Sequence, residues 1–200
     1  MQIQILLFPG FDELDGVGPY EVFRMAAKAG APCEVKLVTL NGTPQVRAAH
    51  GLEISVPEKM NLDAVDLLLV PGGGWADRAP EGVRAEVERG EIAKALRDAC
   101  QSGKTIAAVC TGALLLAHAA LLNGRPCTTH ASALEDLRAA GGKIIGARVV
   151  DDGQLLTCGG VTSGIDLALW IVEKYFGALT ARTVATRLEY SREKDVYRSS

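Results

Sequence analysis

The 200 residues include 48% hydrophobic side chains, enough to bury a sizeable core in one domain, at most two. A net charge of −3 and an isoelectric point near 5.7 leave no basic footprint for nucleic acid or an anionic membrane surface. Five cysteines, an odd count with no C-x-x-C pair, argue against a disulfide framework and a zinc site and fit the reducing cytosol.

Taken in order, the chain alternates strands and helices. MQIQILLFPG lacks a basic leader region, and its apolar run stops at Pro9, so Gln2 to Phe8 reads as a first strand rather than a secretory signal. Pro9 to Gly18 is expected to be a loop, with Pro19 at the first position of a helix over Tyr20 to Ala29. Cys33 to Leu40 reads as a second strand, and Gln45 to Val56 as short extended pieces at an edge. Val65 to Val70 is a continuous apolar run of the kind buried on both faces of a parallel sheet, and it empties into Pro71-Gly72-Gly73-Gly74. One helix is expected over Glu81 to Cys100.

Thr105 to Leu122 is mostly apolar over eighteen residues, near the lower limit of a membrane span. It carries Cys110, Thr111, Gly112 and His118, and it divides into a buried strand, a tight turn and a helix that Asn123-Gly124 stops. Arg125 to Thr129 is expected to be extended and Ser132 to Ala140 helical. Ala147 to Thr157 reads as a hairpin turning at Asp151-Asp152-Gly153. Gly159-Gly160 opens a helix over Ile165 to Phe176, and Ala178 to Leu188 is a last helix before a polar tail. With no linker or repeat, residues 1–200 are expected to form a single doubly wound α/β domain, a mostly parallel, flavodoxin-like sheet sandwiched by helices.

In such a fold three loops meet at the carboxyl edge of the sheet: Phe8 to Gly18, Pro71 to Gly74, and Cys110 to Gly112. Cys110 sits in the turn between a central strand and a helix N-terminus, where the helix end favours thiolate over thiol. The Gly72 and Gly73 amides, with that of Thr111, are candidate donors for an oxyanion hole. The first loop offers three acids, Asp12, Glu13 and Asp15, any of which would hold the thiol proton or steer a water. Asp15 stands out because Gly16-Val17-Gly18-Pro19 follows it as a rigid entry into the next helix.

The motifs FPGFDELDGVGPYEVF, LLLVPGGG, AAVCTGALLLAHAALLNGR, TTH and LLTCGGVTSGIDLAL, in this order, resemble the DJ-1/PfpI superfamily from Gln2 to about Tyr190. Within it, Leu14-Asp15, Cys110-Thr111-Gly112 and Thr128-Thr129-His130 resemble the bacterial isocyanide hydratases; the DJ-1 branch usually carries Glu where Asp15 stands. The resemblance implies a cofactor-independent and metal-free enzyme acting on a small electrophile. Cys110 would add to the terminal carbon of an isocyanide to give a thioimidate, which water converts to an N-substituted formamide. Asp15 would move protons, Thr111 would support the site, and the Gly73 and Thr111 amides would polarise the intermediate. His130 would line the pocket or cap a strand, and Asp166 would cap or brace the helix from Ile165. Relatives also suggest a homodimer, with no nucleic acid or membrane partner, in the cytoplasm.

Other branches fit less well. PfpI-type peptidases have histidine directly after the cysteine, where this chain has Thr111, and no histidine follows His130 to complete a glutamine amidotransferase triad. AraC-like regulators share the Thr128 to His130 and Gly164 to Leu169 segments but carry an added helix-turn-helix, which this acidic sequence is not expected to hold. Oxidant sensing through Cys110 and glyoxalase chemistry remain as alternatives. Cys33, Cys100, Cys127 and Cys158 read as structural.

Overall fold

The computed structural model describes residues 1–193 and 195–199. In chain order the elements are β1 (Gln2–Leu7), α1 (Glu13–Lys28), β2 (Glu34–Thr39), β3 (Gln45–Arg47), β4 (Glu53–Ser55), β5 (Glu58–Lys59) and β6 (Leu67–Val70). There follow α2 (Val83–Arg89), α3 (Glu91–Gln101), β7 (Thr105–Ala108), α4 (Gly112–His118), β8 (Pro126–Cys127), α5 (Leu134–Ala139) and β9 (Lys143–Ile144). The chain closes with β10 (Val149–Asp152), β11 (Leu155–Cys158), α6 (Ser163–Phe176), α7 (Ala178–Arg187) and β12 (Val196–Arg198).

Eight strands form the main sheet in the order β12-β10-β11-β7-β6-β1-β2-β5. Every pairing in it is parallel except the β10–β11 hairpin. This is the mostly parallel, helix-flanked α/β architecture expected. The strand order reverses between β1 and β6, so the carboxyl ends of β1, β6, β7 and β11 share one edge beside that switch point, where open α/β sheets bind ligands. The centre of the sheet is dry: Leu67, Leu68, Leu69 and Val70 of β6 and Ile106, Ala107 and Ala108 of β7 are fully buried. Such strands read as unbroken apolar runs because helices cover both faces.

Four boundaries differ from the sequence reading. Helix α1 begins at Glu13, not after Gly18, because Asp12 caps it by accepting the Leu14 N–H at 3.2 Å. Pro19 therefore lies inside the helix, where its missing N–H leaves only the Asp15 carbonyl without its helical donor. The stretch Glu81 to Cys100 is two helices, since Gly90 adopts φ 74° and ends α2 before α3 starts. Helix α4 stops at His118, short of Asn123. The polar tail contributes β12, which pairs in parallel with β10.

Leu68 is walled on both sides of the sheet and has no route to solvent. Leu68→Ala is expected to lower unfolding free energy by about 2–5 kcal/mol, read as a lower urea midpoint with an unchanged denaturant slope.

Candidate active site

Cys110 follows β7 directly and adopts φ 56°, a left-handed conformation that an L-residue holds only when its surroundings over-determine it. Those surroundings are explicit. Its N–H donates to the Gly159 carbonyl at 3.0 Å, beyond β11, and its carbonyl accepts the Thr129 hydroxyl at 2.7 Å. On the other side the turn is pressed against the one after β6. A Cβ on Gly112 would sit 2.6 Å from the Pro71 carbonyl oxygen, and one on Gly72 would sit 2.6 Å from both the Thr111 nitrogen and its hydroxyl. Only glycine permits this approach from either strand.

The approach gathers the first loop as well. Gly72 N–H donates to Asp15 Oδ2 at 2.9 Å, and the Asp12 N–H returns a bond to the Gly72 carbonyl at 2.8 Å. Gly73 N–H donates to Thr111 Oγ1 at 2.9 Å. The three acids of the first loop have separate tasks. Asp12 caps α1, and Glu13 accepts the His50 backbone N–H at 2.7 Å and contacts the His50 ring at 2.6 Å. Asp15 alone, fully buried, turns inward to Cys110, itself 6% exposed.

Burial dominates the electrostatics. It pushes the Asp15 carboxyl up to about 8, with the Asp12 charge adding to the rise, while the Gly72 N–H, the Cys110 thiol and the Val161 N–H pull it down. Asp15 Oδ1 makes no hydrogen bond within ordinary limits to the described residues, which leaves it free to exchange a proton with the sulfur. The Cys110 thiol is pushed up to about 12, first by burial and then by the Asp15 charge, against the Thr111 and Val161 N–H groups that favour its thiolate. The helix N-terminus is therefore not enough to hold a free thiolate beside an ionised Asp15. The two groups titrate as a pair: moving the thiol proton onto Asp15 removes the carboxylate charge that opposes the thiolate.

The structure brings Asp15, Gly72, Gly73, Cys110 and Thr111 together. The Gly72 and Gly73 amides are both engaged, by Asp15 and Thr111 respectively, and so brace the site rather than facing an intermediate. The N–H groups directed at the sulfur belong to Thr111 and to Val161, which the sequence reading did not single out. His130 lies at the edge, its ring against Gly160 and its Nδ1 2.8 Å from the Ser132 hydroxyl. Asp166 braces α6, accepting from Arg148 Nε at 2.6 Å and the Tyr190 hydroxyl at 2.8 Å. All five cysteines are free thiols. Among the described residues, no three His, Cys, Asp or Glu side chains are grouped to hold a metal ion, and no helix is long and apolar enough to cross a membrane.

Residues 1–174 match the DJ-1/PfpI family. The chain belongs to that family. It is 35% identical over 192 residues to an isonitrile hydratase of Pseudomonas putida, covering 96% of this chain and 79% of that protein. A deglycase of Pyrococcus abyssi is 31% identical over 156 residues, 76% of this chain and 86% of that protein. Among solved structures, DJ-1beta of Drosophila melanogaster superposes with a TM-score of 0.79 at 25% identity, covering 95% of this chain and 98% of that one. The DJ-1/PfpI fold therefore accounts for the sheet order and for the turn that carries Cys110.

Because the folded state keeps the Asp15 proton in a range where the unfolded chain has released it, stability falls as pH rises from about 4 to about 8. Asp15→Asn is expected to remove this slope. Urea unfolding at about pH 5 and pH 8.5 should show the variant gaining on the wild type by roughly 2 kcal/mol or more at the higher pH.

Proposed function

We propose that this protein is a cysteine-dependent hydratase that converts isocyanides to N-substituted formamides. The observation that carries the reading is the buried Asp15 carboxyl beside the Cys110 thiol, with the Thr111 and Val161 N–H groups turned to the sulfur. The identity to an isonitrile hydratase across nearly the whole chain supports it, as does Thr111 in the place after the cysteine.

The chemistry follows from where the protons are. Asp15 takes the thiol proton as sulfur attacks the terminal carbon of the isocyanide, and the new acid delivers that proton to the same carbon. The product is a thioimidate, S–CH=N–R, with Asp15 ionised again. Asp15 then accepts a proton from water as its oxygen adds to the carbon, and passes it to nitrogen. Collapse of the tetrahedral adduct breaks the carbon–sulfur bond and releases the formamide. The hydroxyl proton returns to sulfur through Asp15, so one isocyanide and one water give one formamide with the enzyme unchanged. The Thr111 and Val161 amides stabilise the departing thiolate. No step requires a metal or an organic cofactor.

The attack by sulfur starts from a pair that holds one proton, and that form accumulates above about pH 8 because the doubly protonated pair loses its first proton there. With an aryl isocyanide, kcat/KM is expected to rise with pH through about 8. Cys110→Ser should abolish turnover, and Asp15→Asn should cost about 10²–10⁴-fold, each followed by formamide absorbance. Failure of the wild type to form formamide while Cys110 is free and reduced would reject the proposal. An α-oxoaldehyde, assayed in parallel, tests the glyoxalase alternative.

A further inference from the structure

A cavity of about 1060 Å³ lies between α6, α7 and the segment that carries β12, and none of the residues around Cys110 lines it. The sequence makes room for it. Ala178, Ala181 and Ala185 fall on one stripe of α7, so methyl groups stand where longer side chains would fill the space. The opposite wall is built rather than loose. Glu189 ends α7 at φ 50° and turns the chain so that the Tyr190 hydroxyl reaches Asp166 at 2.8 Å, while β12 is fixed to β10.

Three arginines from separate segments line this space: Arg182 of α7, Arg192 of the connecting segment, and Arg198 of β12. Arg192 pairs with Glu173, yet its Nε is buried and makes no hydrogen bond among the described residues. Neither Arg182 nor Arg198 has a carboxylate within ion-pair distance among the described residues. Glu189 also lines the cavity and is the acid available there to accept from a ligand hydroxyl or amino group. Arg198 stacks over Trp170, its Cζ 4.3 Å from the ring centroid, and the Trp170 indole N–H is fixed by Asp151 Oδ2 at 2.9 Å. A guanidinium stacked on one face offers its second face to another flat ring, and its N–H fork matches the oxygens of a phosphate. The volume is just above the roughly 300–1,000 Å³ typical of small-molecule sites.

We propose that this cavity binds a phosphorylated ligand with a planar ring, the chemistry of a nucleotide, through Arg182, Arg192 and Arg198. The site is independent of the chemistry at Cys110. Adenosine diphosphate serves as the probe, with adenosine and inorganic diphosphate as its two halves, titrated calorimetrically into the full chain at about 0.15 M salt. Saturable binding of adenosine diphosphate is expected. Each half should bind at least about tenfold more weakly, and Arg182→Gln and Arg198→Gln should each weaken the whole by about tenfold or more. Both arginines are on the surface, and circular dichroism checks that the variants fold. On the wild type, the Trp170 indole N–H resonance should shift with the ligand while that of Trp75, in the turn after β6, stays fixed. Absence of saturable binding, affinity unchanged in both arginine variants, or a shift at Trp75 without one at Trp170 would overturn the proposal.

Discussion

The close approach of two turns, the one after β6 and the one after β7, is the constraint on which the rest of the site depends. It is a steric fact before it is a chemical one: side chains at Gly72 or Gly112 would meet backbone atoms of the facing turn at 2.6 Å. With both positions glycine, Thr111 reaches Gly73, Gly72 reaches Asp15, and the first loop is drawn onto the nucleophile turn. The left-handed backbone of Cys110 is then held by two elements outside this pair, the Gly159 carbonyl and the Thr129 hydroxyl. Strain of about 1–3 kcal/mol at one residue persists because four separate segments agree on its position.

Packing sets the electrostatics in turn. For a carboxyl buried this deeply the Gly72 and Val161 N–H groups and the Cys110 thiol do not offset the loss of water, so Asp15 keeps its proton far above the ordinary carboxylate range. The same burial works against a thiolate at Cys110. Neither residue alone is a good base or nucleophile near neutral pH. In the proposed reaction they share a proton between sulfur and oxygen, which suits an electrophile needing a nucleophile and a proton at one carbon. The neighbouring Asp12 adds to the rise at Asp15, so the helix cap and the proton pair are coupled.

The alternation of apolar runs with glycine turns made the sheet legible, and with it the edge at which Asp15, Gly72 and Cys110 meet. Such information resides in residue type and spacing. What escaped the sequence resides in backbone geometry. Val161 contributes an N–H, which every non-proline residue owns, and its placement depends on φ 46° at a position where nothing in the side chain announces it. Thr129 was visible within a TTH segment, but its bond to the Cys110 carbonyl follows from how β8 lies beside β11. The start of α1 was misplaced because Pro19 has a strong preference for a helix's first turn, and the cap at Asp12 overrode it. The division among the three acids of the first loop was equally hidden, since it needs the β3–β4 hairpin to bring His50 to Glu13.

Covalent capture of substrate by Cys110 is the centre of this account, and intact-mass spectrometry of the wild type, acid-quenched during a single turnover with an aryl isocyanide, tests it most directly. The account predicts a transient gain of one isocyanide mass that peptide mapping places on Cys110 and that decays as formamide appears. Formamide produced at full rate with no adduct, or with the adduct on another cysteine, would contradict it.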